Sequence, residues 1–128
     1  LPQVVIMRKI FIAIPMVLVA CGADTKVDLS IGAALPAVAI EVTDNEYTPR
    51  DVTVKAGQTL KFENVGANPH DIVLAEPDSL SDFGIDLESF TKGSTYEAAI
   101  NKPGTYIYFC SIHGTKKGSG MAGTIVVE

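Results

Sequence analysis

The sequence predicts an all-β antiparallel sandwich of seven or eight short strands, interrupted by one long loop with a short helical turn. Two observations carry this. From Val38 onward, apolar residues recur with period two, the mark of strands that bury one face. Turn-forming clusters also punctuate the chain about every ten residues, the spacing of an all-β domain. At 128 residues the chain suits one domain, large enough to bury a core without disulfide support.

Taken in order, Val38, Ile40 and Val42 alternate with Ala39, Glu41 and Thr43 in the first strand. Val52 and Val54 alternate with Asp51, Thr53 and Lys55, and Ala56-Gly57-Gln58 turns the chain into a strand carrying Leu60 and Phe62. Residues 70–74 read as a short strand entered through the Asn68-Pro69 turn. Residues 76–90, with irregularly spaced Leu80, Phe83, Ile85, Leu87 and Phe90, form the long loop. Strands at 95–100 and 105–110 flank the Asn101-Lys102-Pro103-Gly104 hairpin turn, and β-branched 124–127 closes the domain. Tyr106, Tyr108 and Cys110 share one strand face, predicted to point inward; Thr105, Ile107 and Phe109 share the other. Leu60, Phe62, Ile72, Leu74, Ile125 and Val127 are the expected core wall.

The first twenty residues follow a different logic. Arg8 and Lys9 precede an apolar run over 10–20, the charged and apolar regions of a secretory signal. The run falls short of the ~20 apolar residues of a membrane-spanning helix. Met7 is read as the true start, with residues 1–6 an overextension of the reading frame. Leu18-Val19-Ala20-Cys21 resembles the lipobox of bacterial lipoproteins. That resemblance implies removal of the signal peptide at 1–20, lipidation of Cys21, and acyl chains that anchor the protein firmly to a membrane. Residues 21–37 are then a flexible tether and 38–128 the folded domain, held outside the cytoplasm on the periplasmic or outer face.

Charge narrows the partners. The chain has 10 Lys+Arg against 15 Asp+Glu, a formal charge of −5. Such a chain is a poor ligand for nucleic acid, whose binding rests on cations neutralising phosphates. Basic partners are favoured instead. The segment 71–88 holds Asp71, Glu76, Asp78, Asp82, Asp86 and Glu88 with no Lys or Arg. It reads either as a docking patch for a basic cytochrome or as a solvated loop.

There are two cysteines, Cys21 and Cys110. With Cys21 lipidated, Cys110 has no disulfide partner, and an unpaired thiol in an oxidising compartment calls for another use. His113 follows three residues later, Met121 lies just beyond, and His70, the other of the two histidines, begins a different strand. Strand ends of a sandwich meet at its poles, so the four side chains are predicted to converge. One thiolate, two imidazoles and a weak axial thioether form the donor set of a blue-copper site. Zinc prefers a closed tetrahedron of stronger ligands.

Residues 38–128 resemble the cupredoxins, in particular their plastocyanin and halocyanin branch. The resemblance rests on Thr53-Val54-Lys55-Ala56-Gly57, Pro69-His70, Lys92-Gly93, Pro103-Gly104-Thr105-Tyr106, Phe109-Cys110-Ser111-Ile112-His113 and Gly120-Met121-Ala122-Gly123-Thr124. It implies a Greek-key sandwich with one type 1 copper ion at a pole, alternating between Cu(I) and Cu(II). His70, Cys110 and His113 would be the strong ligands and Met121 the axial one, with Asp71 and Ser111 behind them. His113, Gly114, Phe109, Lys116 and Lys117 would form the electron port and docking surface. The implied activity is single-electron transfer by a monomer that is not an enzyme, with cytochromes or membrane electron-transfer complexes as partners. The alternative is a copper chaperone or store, against which the scarcity of Met after the signal argues.

Three departures from the family pattern stand out. Seven residues separate His113 from Met121 where the family usually has four, so the axial bond is a point for the structure to address. Asp71 replaces a common Asn after the first His, adding negative charge beside the site. Phe109 replaces the Tyr that precedes the Cys in plastocyanins.

Overall fold

The computed structural model describes residues 34–128. The predicted leader at 1–20, Cys21 and most of the predicted tether lie outside the described residues. Among the described residues, no helix is long and apolar enough to cross a membrane.

Eight strands build the domain: β1 (Val38–Val42), β2 (Tyr47–Thr48), β3 (Asp51–Val54), β4 (Thr59–Asn64), β5 (Val73–Leu74), β6 (Thr95–Ala99), β7 (Gly104–Gly114) and β8 (Gly120–Val127). They form two four-stranded sheets, ordered β2-β1-β4-β6 and β3-β8-β7-β5, in a Greek-key sandwich. The long loop contains the one helical turn expected there, a 3-10 turn at Pro77–Ser79.

The sheets are mixed, which corrects the expectation of a purely antiparallel sandwich. β1 runs parallel to β4, and β3 runs parallel to β8. The reason is topological. After β2 the chain leaves for the second sheet as β3 and returns as β4, so β4 pairs with β1 in the same direction. Alternation of side chains fixes which face of a strand is buried, but carries no sign of strand direction. The strand expected at 70–74 contracts to β5; Ile72 instead makes an isolated bridge to Ile85 in the long loop.

Period-two burial holds wherever the sequence displayed it. Val52 and Val54 in β3, Leu60 and Phe62 in β4, and Tyr106, Tyr108 and Cys110 in β7 all point inward. The expected wall of Leu60, Phe62, Ile72, Leu74, Ile125 and Val127 is buried throughout. At its centre Phe62 sits edge-on to Tyr47, Phe83 and Tyr108 and tilted against Tyr96, with ring centroids 5.7–6.5 Å apart. Aromatic pairs in these orientations add to what area burial contributes. Among the described residues, every buried side-chain nitrogen and oxygen has a hydrogen-bond partner. The Tyr108 hydroxyl, for instance, donates to the Arg50 carbonyl at 2.9 Å.

Because Phe62 joins both sheets through these rings, Phe62→Ala is expected to cost about 3–5 kcal/mol of unfolding free energy. Chemical denaturation measures it, and a loss under about 1 kcal/mol would show the aromatic cluster to be peripheral to stability.

Candidate metal centre

Among the described residues, one pole of the sandwich gathers a cluster of metal-binding side chains. His70 lies in the loop between β4 and β5, Cys110 and His113 near the end of β7, and Met121 at the start of β8. The His70 Nδ1 lies 3.7 Å from Cys110 Sγ, and the His113 Nδ1 lies 3.9 Å from the same sulfur. Donor atoms of all three residues fall within 4.8 Å of one another. The imidazole centroids are 5.2 Å apart. His70, Cys110 and Met121 are buried, whereas His113 is exposed.

Simple alternation would send Cys110 inward and His113 outward, away from each other. A register shift between β7 and β8 removes this difficulty. Phe109 pairs with Ala122 and Gly114 with Gly120, so residues 110–113 on one strand face Met121 alone on the other. Such an irregularity bends a strand and re-aims its side chains, and is common beside functional sites. Here it turns the His113 ring toward the Cys110 sulfur while Ile112 faces solvent, 55% exposed.

The seven residues between the ligand-set His and Met form a hairpin. Thr115 N donates to Ser119 O at 3.0 Å and Gly118 N to Thr115 O at 3.0 Å. The stem closes on Gly114 and Gly120, where the strands come very near. A Cβ on Gly114 would lie 2.2 Å from the Met121 carbonyl oxygen, so no larger residue fits without a backbone shift. The Arg50 guanidinium holds the tip by donating to Gly118 O at 2.7 Å.

Two carboxylates and an amide brace the site. Asp71 Oδ1 accepts from the Ser111 amide at 2.6 Å, and its other oxygen accepts from the Ser111 hydroxyl. The Asp therefore joins the His70 loop to the Cys110 strand. The Tyr47 hydroxyl donates to the Asp71 carbonyl at 2.8 Å from the opposite sheet. Asn64, fully buried, donates to Asn68 O and Phe90 O and accepts from Gly66 N, fixing the turn that presents His70. Asp44 Oδ1 accepts from Asn68 N at 2.9 Å and lies 3.3 Å from His70 Nε2. The Asn68 amide, and secondarily His70, hold the Asp44 carboxyl below the usual carboxylate range. Burial pushes the Cys110 thiol up. A cation in the cluster reverses that preference, since metal coordination deprotonates a thiol.

Sequence reasoning did not single out Asp44 or Asn64. Asp44 stands 26 residues before His70 in a turn, and no spacing rule connects them. Asn64 ends a strand pattern without chemical distinction. The sequence also read Lys116 and Lys117 together with His113. They line a cleft with Leu74, Ala75, Glu76, Ser79, Thr105, Tyr106 and Ile107, on the flank of the second sheet. His113 instead borders a separate groove of about 530 Å³ with Asn68, Pro69, Leu87, Glu88, Thr91 and Ile112. Phe109 is half-buried on the outward face of β7, paired with Val73 and Ala122.

A soft thiolate beside two imidazoles suits copper, and the inward Nδ1 atoms of both histidines fit a common ion. Comparison with known proteins agrees. The family of copper binding proteins described as plastocyanin/azurin matches residues 36–128. Plastocyanin of Scenedesmus fuscus is 37% identical over 87 residues, covering 64% of this chain and 86% of its own. The major plastocyanin isoform of Arabidopsis thaliana is 32% identical over 114 residues; the match covers 77% of this chain but 65% of that protein, just under two thirds of its length. Amicyanin from Paracoccus versutus superposes with a TM-score of 0.59 at 28% identity, covering 77% of this chain and 88% of that one. The copper-containing nitrite reductase of Thermus scotoductus reaches a TM-score of 0.61 at 25% identity, over 75% of this chain and 23% of the larger protein. The chain belongs to the plastocyanin/azurin family of copper-binding proteins, cupredoxins that take one type 1 copper ion.

Proposed function

We propose that this protein carries single electrons between redox partners outside the cytoplasm. His70 Nδ1, Cys110 Sγ and His113 Nδ1 would hold the copper, with the Met121 thioether as a further, weaker donor. The observation that carries the reading is the convergence of those three donors at one pole. Copper supplies the one-electron chemistry, since a thiolate favours Cu(I) while imidazoles also suit Cu(II).

The chain's own residues do the rest. The buried wall behind Cys110 keeps water from the sulfur, and such an apolar surround tunes the potential of a metal. Asp71, Asn64 and the β7–β8 pairing hold the donors in place, so a change of charge meets a rigid cage. The exposed His113 ring is the route for the electron. It opens into the groove bordered by Pro69, Leu87 and Ile112, an apolar landing surface for a partner. Glu88 borders the same groove, which ties the acidic segment to the port. A cytochrome or a membrane electron-transfer complex with basic residues around its own port fits this surface, and lipidation of Cys21 would keep the protein near it.

With two histidines in the whole chain, there are too few imidazoles for a multicopper catalytic cluster, which favours a carrier over an enzyme. A Cu(II)-loaded domain lacking the leader is expected to show the intense visible absorption of a thiolate–copper bond and reversible one-electron chemistry. A colourless protein that hands Cu(I) to acceptors would assign it to copper chaperoning or storage instead. Asp71→Asn keeps an acceptor for the Ser111 amide but removes a charge that favours Cu(II). The reduction potential is expected to rise, and an unchanged value rejects a tuning role for Asp71. The rate of electron exchange with a small basic cytochrome should fall as salt is added, because screening weakens long-range attraction between exposed charges. A flat response would leave the acidic segment as a solvated loop.

A further inference from the structure

His70 is buried with both ring nitrogens engaged. Nδ1 faces the Cys110 sulfur at 3.7 Å, and Nε2 faces the Asp44 carboxylate at 3.3 Å. A histidine that gives one nitrogen to a metal holds its proton on the other, and the acceptor of that proton fixes both tautomer and ring orientation. We infer that Asp44 is the positioning residue of the copper site, accepting the His70 Nε2 proton and biasing the ion toward Cu(II). This rests on the reading of His70 as a copper ligand.

Three observations support it beyond the distance. First, the carboxylate is itself held, because the Asn68 amide donates to the same Oδ1 at 2.9 Å. The acceptor is therefore built into the turn that carries His70, with Asn64 bracing that turn from beneath. Second, Gly66 leaves room for it. A Cβ at position 66 would lie 2.4 Å from Asp44 Oδ1 and 3.0 Å from Asp44 N, so the carboxylate occupies the space a side chain would take. Third, Asp44 is 36% exposed at its side chain while His70 is fully buried. Negative charge thus reaches the buried ring from the outside, through a group that water still partly solvates and that costs little to keep ionised.

A carboxylate acceptor raises the basicity of a ligand imidazole, which strengthens the bond to the more highly charged ion. Loss of such a partner typically lowers metal affinity by about 10–100-fold. For Asp44→Asn the loss should fall mainly on Cu(II), so the reduction potential rises. A tenfold change in the ratio of the two affinities corresponds to about 59 mV for a one-electron couple. Gly66→Ala offers a second route to the same end, since it displaces the carboxylate without removing its charge.

The test is made on the copper-loaded domain. The potential and Cu(II) affinity of Asp44→Asn and Gly66→Ala are compared with wild type and with Glu46→Gln, which removes a charge from the same turn without touching His70. Both of the first two should raise the potential by more than Glu46→Gln does. In the diamagnetic Cu(I) protein, nuclear magnetic resonance should show a His70 Nε2 proton protected from solvent exchange in wild type and exposed in Asp44→Ala. A shift no larger than that of Glu46→Gln, or an unprotected proton in wild type, overturns the inference. If the wild-type protein shows no type 1 absorption, it is the copper reading that fails. The His70 proton in the zinc-loaded protein then decides the role of Asp44 on its own.

Discussion

The site depends on one tie across the domain. Asp71 follows His70 directly, and its carboxylate grips both the amide and the hydroxyl of Ser111, which follows Cys110. Two donors forty residues apart in sequence are thereby locked at the positions next to them. Without this bridge, the loop carrying His70 would be tied to the thiol strand only further along, where β5 pairs with β7 at Val73 and Phe109. The Tyr47 hydroxyl secures the Asp71 backbone from the first sheet, so both layers of the sandwich hold the same residue. A buried carboxylate with its oxygens satisfied by fixed donors is stable where an unpaired one would be costly.

The fold contributes stiffness rather than chemistry. Both histidines approach the sulfur through Nδ1, and each is held by a different device. His70 is set by a turn braced by Asn64 and Asp44, and His113 by an irregular strand pair stapled with glycines. Neither device relies on the other, and they meet at Cys110, whose inward aim follows from plain alternation along β7. A cage assembled from separately supported parts resists the relaxation that a change of copper charge would otherwise drive. That resistance is what a one-electron carrier needs from its protein.

Much of this was legible in the sequence, for physical reasons that also mark where legibility ends. Alternation announced the inward faces of β3, β4 and β7, because burial of one strand face leaves a period-two record. The donor set was legible because few residues bind soft metals and this chain has few of them. Strand direction was not, since parallel and antiparallel neighbours impose the same alternation; the β1–β4 and β3–β8 pairings needed coordinates. The two-residue strand Tyr47–Thr48 is too short to leave a pattern. Asp44 was hidden for another reason: its partner His70 is reached through space across a turn, and a carboxylate in a turn looks the same whether or not it touches a ligand. Lys116 and Lys117 line a cleft separate from the groove that His113 borders, a placement that nearness in sequence does not specify.

The longer segment between His113 and Met121 illustrates how a sandwich absorbs added chain. Extra residues within a loop that itself sets ligand positions would strain or loosen every donor it carries. Here the close pairing of Gly114 with Gly120 seals the stem before the added residues begin, and the tip beyond it forms its own turn. Arg50 holds that tip from β3's side of the sheet, so the excess length is taken up outside the stem. Met121 remains buried at the first inward position after the stem, where β8 begins. Loop length and ligand placement are thus separable quantities, joined only when no paired stem stands between them. In this protein the close strand approach that Gly114 and Gly120 allow is what keeps loop length separate from ligand placement.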